Sequence, residues 1–137
     1  MLIPELATAV KYQLPVKIFV MKNNSLGQIK WEQMVFLGNP EYGCELQPVD
    51  FVGVARAFGA QAYAVDDPEK CGDVVAQALA TPGPVVVEAV VDPNEPPMPG
   101  RIKPKQALHF AQSLAKGTPE RMKIAGTVME DRIREMV

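Results

Sequence analysis

The sequence predicts an α/β fold of three layers, αβα, with helices on both faces of a mainly parallel sheet. Three observations predict it. Residues 16–21 and 85–91 are short apolar runs bounded by turn formers, the pattern of strands buried on both faces. Apolar residues at helical spacing lie before, between and after these runs, so strand, helix, strand, helix and strand alternate and the strands run parallel through right-handed crossovers. Finally, 137 residues with 47% hydrophobic content are one domain in size and enough for a real core.

Taken in order, Pro4 stands where a helix starts, and Leu6 and Val10 recur at helical spacing up to Tyr12. Pro15 closes that helix and the first strand follows. A helix over about 25–36 comes next, with Leu26, Ile29 and Met34 on one side. Gly38, Asn39, Pro40 and Gly43 then break all periodicity, and a loop of this kind beside a presumed site is a candidate lid. Asp50 is placed to cap a helix with Phe51, Val54 and Phe58 on one face, which Gly59 ends. A weaker strand over 60–65 alternates with small residues. Asp67, Pro68 and Glu69 supply the cap, proline and acid of another helix start, with Val74, Val75, Ala78 and Leu79 as its buried stripe. The third strand, 85–91, is apolar except for Glu88.

Residues 92–99 hold four of the thirteen prolines and read as a strap across the surface. Beyond them, 104–114 and 119–136 are helical in pattern, the second with Met122, Ala125, Met129, Ile133 and Met136 at spacings of three and four. The predicted organisation is therefore an α/β domain over 1–92, a Pro-rich strap over 93–103, and C-terminal helices over 104–137 that pack on the same domain.

A net charge of -2 and a pI near 5.4 give no electrostatic reason to expect a nucleic-acid partner. The charge is uneven: residues 1–100 carry six Lys or Arg against twelve acids, and 101–137 carry eight against four. The tail is thus basic as well as periodic, which fits either packing on its own domain or contact with a membrane surface. Packing is the favoured reading. Cys44 and Cys71 match no zinc or redox spacing and read as free thiols of a reducing compartment. No apolar run approaches the ~20 residues of a membrane span, and the N-terminus lacks a signal peptide's regions, so the expectation is a soluble, cytoplasmic chain.

The chemistry concentrates where the first strand ends. Asn23 and Asn24 stand just past it, and ligands of parallel sheets bind beyond the carboxyl ends of the strands. Side-chain amide oxygens are hard, neutral donors for a small divalent cation that a substrate's phosphates also hold. A helix opening near Ser25 would aim free N–H groups at an anion. The competing reading is a plain turn, since Asn tolerates left-handed backbone and bonds its own main chain.

The stretch Lys22-Asn23-Asn24-Ser25-Leu26-Gly27-Gln28-Ile29-Lys30-Trp31-Glu32-Gln33 resembles the second half of the thiamine-diphosphate motif, which opens with Gly-Asp-Gly and closes with Asn-Asn. The resemblance continues through Pro48-Val49-Asp50-Phe51, Ala57-Phe58-Gly59-Ala60 and Pro82-Gly83-Pro84-Val85-Val86-Val87-Glu88 to Asp92-Pro93-Asn94-Glu95-Pro96-Pro97. It points to enzymes like pyruvate oxidases or pyruvate dehydrogenases of the oxidase type, with acetolactate synthases next. The family opens its motif well upstream of the Asn pair, and only 22 residues precede Asn23. Nor does Gly-Asp-Gly occur later, because Val74 follows Gly72-Asp73. The resemblance is thus to the C-terminal part of a cofactor-binding domain, cut through its metal site.

What the resemblance implies is specific. Asn23, Asn24, Ser25, Leu26 and Gly27 would form the cofactor-binding turn, with Mg²⁺ held by the Asn24 side chain and the Leu26 carbonyl. Gln28 and Glu32, four apart on the following helix, become substrate-side candidates. Trp31 is expected to pack, and His109, the only histidine, to be structural or solvent-facing. The family's activating glutamate belongs to another domain, usually a partner subunit's, and the FAD of an oxidase would also lie outside this chain. The implied function is the decarboxylation of pyruvate or a related 2-keto acid by a parent enzyme, an acetolactate synthase-like carboligation being the alternative, while the chain alone is expected to be inactive and to self-associate. The rival from another class is a stand-alone α/β binding or assembly module without catalysis.

Overall fold

The computed structural model describes residues 3–95 and 103–134, and the side chains of 132–134 lie outside that description. In chain order the elements are α1 (Glu5–Lys11), β1 (Lys17–Lys22), α2 (Gly27–Val35), α3 (Phe51–Ala57), β2 (Gln61–Val65), α4 (Pro68–Ala80), β3 (Val85–Val90), α5 (Pro104–Ala115) and α6 (Arg121–Arg134). They fall into two compact units, one formed by residues 1–23 and 48–91, the other by 24–47 and 92–137.

The first unit is the α/β layer structure. Its three strands are ordered β1-β3-β2 and both pairings are parallel, with Phe19 opposite Val87 and Tyr63 opposite Val87 from the other side. One face is packed by α1 and α3, where Leu6, Ala9, Ala55, Ala60, Ala62 and Val86 form a buried cluster. On the other face α4 brings Ala78 against Val65, Val85 and Val87. The helix starts are those the sequence predicts. The Asp50 carboxylate accepts the Gly53 N–H at 2.7 Å, and that of Asp67 accepts the Glu69 N–H at 3.0 Å, each satisfying a donor that the helix cannot.

Two expectations for this unit need correction. Residues 16–21 read as a strand buried on both faces, but β1 pairs with β3 alone among the described residues and leaves Ile18 41%, Phe19 39% and Met21 64% exposed. An apolar sequence reports the strand and not its position in the sheet. Leu79 is 62% exposed instead of completing the stripe of α4, since the small Ala78 is the residue that points squarely at the sheet.

The second unit is helical. Trp31, Met34 and Val35 of α2 share a buried cluster with Ile124 of α6, and Phe110, Leu114 and Val128 pack against it. Trp31 stacks on Phe110 with ring centroids 5.9 Å apart, as the packing reading of Trp31 predicts. The predicted face of α6 is wrong: Met122 and Met129 are 81% and 71% exposed, and Ile124 with Val128 faces the cluster. Ile133 and Met136 lie outside the described side chains. Of the strap, residues up to Glu95 are described, and Asn94 is buried, not superficial. Among the described residues no helix is long and apolar enough to cross a membrane.

Candidate functional site

The boundary between the two units falls between Asn23 and Asn24, so each side of the predicted cofactor turn is described with its own unit. On the first unit, Asn23 is half-buried and follows β1 directly. Close to it in the sheet, Lys22 donates to Glu88 Oε1 at 2.9 Å, and Glu88 Oε2 accepts the Phe51 N–H at 2.9 Å. A buried carboxylate thereby joins the end of β1, the middle of β3 and the start of α3. The sequence marks Glu88 only as the polar exception of its strand.

On the second unit, Asn24 is exposed, and its backbone is left-handed with φ of 53°. Asn adopts that conformation at little cost. Among the described residues its side-chain amide holds no hydrogen bond, while its carbonyl accepts the Leu46 N–H at 2.9 Å. Ser25 pairs with Glu45 in an isolated antiparallel bridge, and the Leu26 N–H donates to the Cys44 carbonyl at 2.8 Å. The turn 24–26 is therefore held to residues 44–46 by two backbone hydrogen bonds, the pair that makes the Ser25–Glu45 bridge. Leu26 is the N-cap of α2, which opens at Gly27 without a capping side chain. The Leu26 carbonyl accepts the first helical bond, from the Lys30 N–H at 3.0 Å, and keeps its second lone pair.

Of the substrate-side candidates, Gln28 Nε2 donates to Glu32 Oε1 at 3.1 Å on the exposed side of α2, as residues four apart on a helix can. The loop over 38–43, a candidate lid, is laced to that helix. Lys30 Nζ meets Glu41 Oε2 at 2.9 Å, and the Gln33 amide both donates to the Tyr42 carbonyl and accepts its N–H. Further along, Lys116 donates to the Gly38 carbonyl at 2.8 Å, and His109 Nδ1 lies 2.7 Å from the Phe36 carbonyl. The carbonyl can only accept, so Nδ1 carries the proton, a structural role. Cys44 is buried and Cys71 exposed, both as free thiols. No cluster of three or more His, Cys, Asp or Glu is placed to hold a metal among the described residues.

The donor set can be tested against the group the sequence implies. Asn24 offers an unengaged amide oxygen to solvent, and Leu26 offers a carbonyl at a helix start, two hard neutral oxygens two residues apart. Such a pair suits Mg²⁺, which takes about six oxygens at about 2.1 Å and usually keeps several from water and phosphate. The fit is real but supplies only part of the ligand set.

The family profile described as "Thiamine pyrophosphate enzyme, C-terminal TPP binding domain" matches residues 1–89. The chain belongs to this family. It is 38% identical over 123 residues to a putative thiamine pyrophosphate-containing protein, YdaP, of Bacillus subtilis, covering 90% of this chain and 21% of that one. It is 35% identical over 106 residues to the chloroplastic acetolactate synthase 2 of Zea mays, covering 71% of this chain and 16% of the synthase. In structure it is similar to a thiamine diphosphate-dependent 4-hydroxybenzoylformate decarboxylase of Rhodococcus jostii, with a TM-score of 0.60 and 26% identity over 66% of this chain and 17% of the decarboxylase. The chain thus spans about a fifth of the relatives it matches.

Sequence reasoning missed one feature of this thiamine pyrophosphate-family chain. It gives Lys30 no role, yet Lys30 is 5% exposed and bonded to Asn94 at 3.0 Å. The partners lie 64 residues apart, and nothing local to either announces the other.

Proposed function

We propose that this chain supplies the closing part of a thiamine diphosphate site, with Asn24 through its side chain and Leu26 through its carbonyl as two Mg²⁺ ligands. Asn23, Ser25 and Gly27 form the rest of the turn. The observation that carries the reading is the Asn24 side chain, exposed and without a hydrogen bond among the described residues, two positions from a helix-opening carbonyl. When bound, thiamine diphosphate would supply the nucleophile and the electron sink that decarboxylation of a 2-keto acid needs. The chain's own residues hold the metal and present the start of α2 to the phosphates. Gln28 and Glu32, on the same helix, are assigned to the substrate side.

The parent activity is the decarboxylation of pyruvate or a related 2-keto acid, consistent with likeness to both an acetolactate synthase and a 4-hydroxybenzoylformate decarboxylase. An oxidase parent would add FAD on another part of the polypeptide. The chain's 137 residues contain no Gly-Asp-Gly, so alone it is expected to lack turnover. The free thiols Cys44 and Cys71 fit a reducing, cytoplasmic setting. A stand-alone α/β binding or assembly module without catalysis is the rival reading.

Calorimetric titration of thiamine diphosphate with Mg²⁺ separates the two. The chain is compared as it stands and with an N-terminal extension restoring Gly-Asp-Gly. Tight binding is expected only with the extension, and Asn24→Ala should weaken it by more than about tenfold. Heats that ignore both changes would exclude the assignment.

A further inference from the structure

Helix α2 carries a lysine removed from water. The Lys30 ammonium is held by Asn94 Oδ1 at 3.0 Å and Glu41 Oε2 at 2.9 Å. Asn94 is itself only 1% exposed, and its amide is used from both ends. The oxygen accepts from Lys30, Nδ2 donates to Glu120 Oε2 at 2.9 Å, and the backbone N–H donates to Asp92 Oδ1 at 2.9 Å. Only a side chain with an acceptor at one end and a donor at the other satisfies an ammonium and a carboxylate together. A carboxylate at this position would face Glu120 with like charge, and an apolar residue would leave a buried cation short of a partner. Well-packed apolar residues often stabilise as much as a buried ionic network, so stability alone is a poor reason for this one.

What the network holds in place is the helix start. The backbone N–H of Lys30 donates to the Leu26 carbonyl at 3.0 Å, the oxygen assigned above to the metal. One residue therefore bonds that carbonyl with its main chain while its side chain is anchored in the interior. We infer that Asn94 is a positioning residue for the cofactor turn: through the Lys30 ammonium it fixes the first turn of α2 and with it the direction of the Leu26 carbonyl. This rests on the assignment of Asn24 and Leu26 as metal ligands. The Lys30 N–H is the partner one bond removed from that ligand, where a loss typically costs about ten- to a hundredfold in metal affinity, and Asn94 acts through Lys30 at the lower end of that range.

The test uses the 137-residue chain, Mn²⁺ and thiamine diphosphate. Paramagnetic broadening of the backbone amide signals of residues 24–28 reports weak binding and requires no turnover. Broadening is expected in the wild type and lost in Asn24→Ala. Asn94→Ala should move the Mn²⁺ midpoint about tenfold upward. Glu120→Ala, at an exposed position, should move it in the same direction. Glu120→Gln keeps an oxygen for the Asn94 amide and should restore the wild-type midpoint. A thermal midpoint that falls in Asn94→Ala and Glu120→Ala while the Mn²⁺ midpoint stays put would overturn the positioning role and leave the ligand assignment standing. Wild-type signals untouched by Mn²⁺ would overturn the ligand assignment, and this inference with it.

Discussion

Glu88 shows how much a single residue can hold. Its carboxylate, 7% exposed within β3, accepts from the Lys22 ammonium and from the Phe51 N–H. Glu88→Ala would strand a largely buried ammonium and a helix-opening donor together. We expect a loss of about 2–3 kcal/mol in urea unfolding, at the lower end for a broken buried pair because Lys22 keeps some access to water. Glu88→Gln retains one acceptor and should lose roughly half as much. Equal losses in the two variants would show that shape, not hydrogen bonding, is what the site requires. The sequence displays Glu88 as a polar residue in an apolar strand, but its partners stand 66 and 37 residues away. Lys30 and Asn94 were illegible for the same reason. A buried polar group announces itself only when its partner is near in sequence.

At the scale of one element, α3 carries a glycine in its first turn for a reason the structure makes plain. A Cβ on Gly53 would sit 2.5 Å from Asp50 Oδ2, in the space of the carboxylate that caps the helix. Gly-to-Ala inside a helix ordinarily stabilises by about 0.5–1 kcal/mol. Here Gly53→Ala should instead destabilise by up to about 0.5 kcal/mol, because it displaces a cap whose own loss costs about 1 kcal/mol and so outweighs that gain. In an Asp50→Ala background the same substitution should stabilise by about 0.5 kcal/mol, a sign reversal that a double-mutant cycle reads directly. Additive effects would mean that the cap moves aside freely. Elements of this kind were the legible part of the fold. The caps at Asp50 and Asp67, the proline at the start of α4 and the apolar run of β3 are all local signals. The side of α6 that packs was misjudged because the methionines mark a periodic stripe as well as Ile124 and Val128 do, and only the neighbours α2 and α5 decide between them. The proposed cofactor turn rests on its wording, while the backbone links that hold residues 24–26 to 44–46 have no local signal in the sequence.

At the scale of the whole molecule, the consequential surface is the open side of β1. Between α1, α3 and this strand the first unit has an apolar groove of about 540 Å³, lined among others by Leu6, Leu14, Val16, Ile18, Val54 and Val86. On the opposite face of the same strand Phe19 and Met21 are 39% and 64% exposed. Natural edge strands are commonly protected by charge. The two lysines of β1 give little such protection, since Lys17 Nζ donates to the Thr81 and Gly83 carbonyls at 2.6 Å each and Lys22 is paired with Glu88. Among the described residues of the first unit this edge has apolar residues on both faces and no strand partner beyond β3, which invites another copy of the chain. Sedimentation velocity at high micromolar concentration should therefore find the chain associated. Ile18→Lys places an uncompensated charge on the groove side of the edge and should shift the distribution to monomer without altering the far-ultraviolet circular dichroism. A wild-type chain that sediments as a monomer would show that this surface is tolerated by water, and the case for association through β1 would end there.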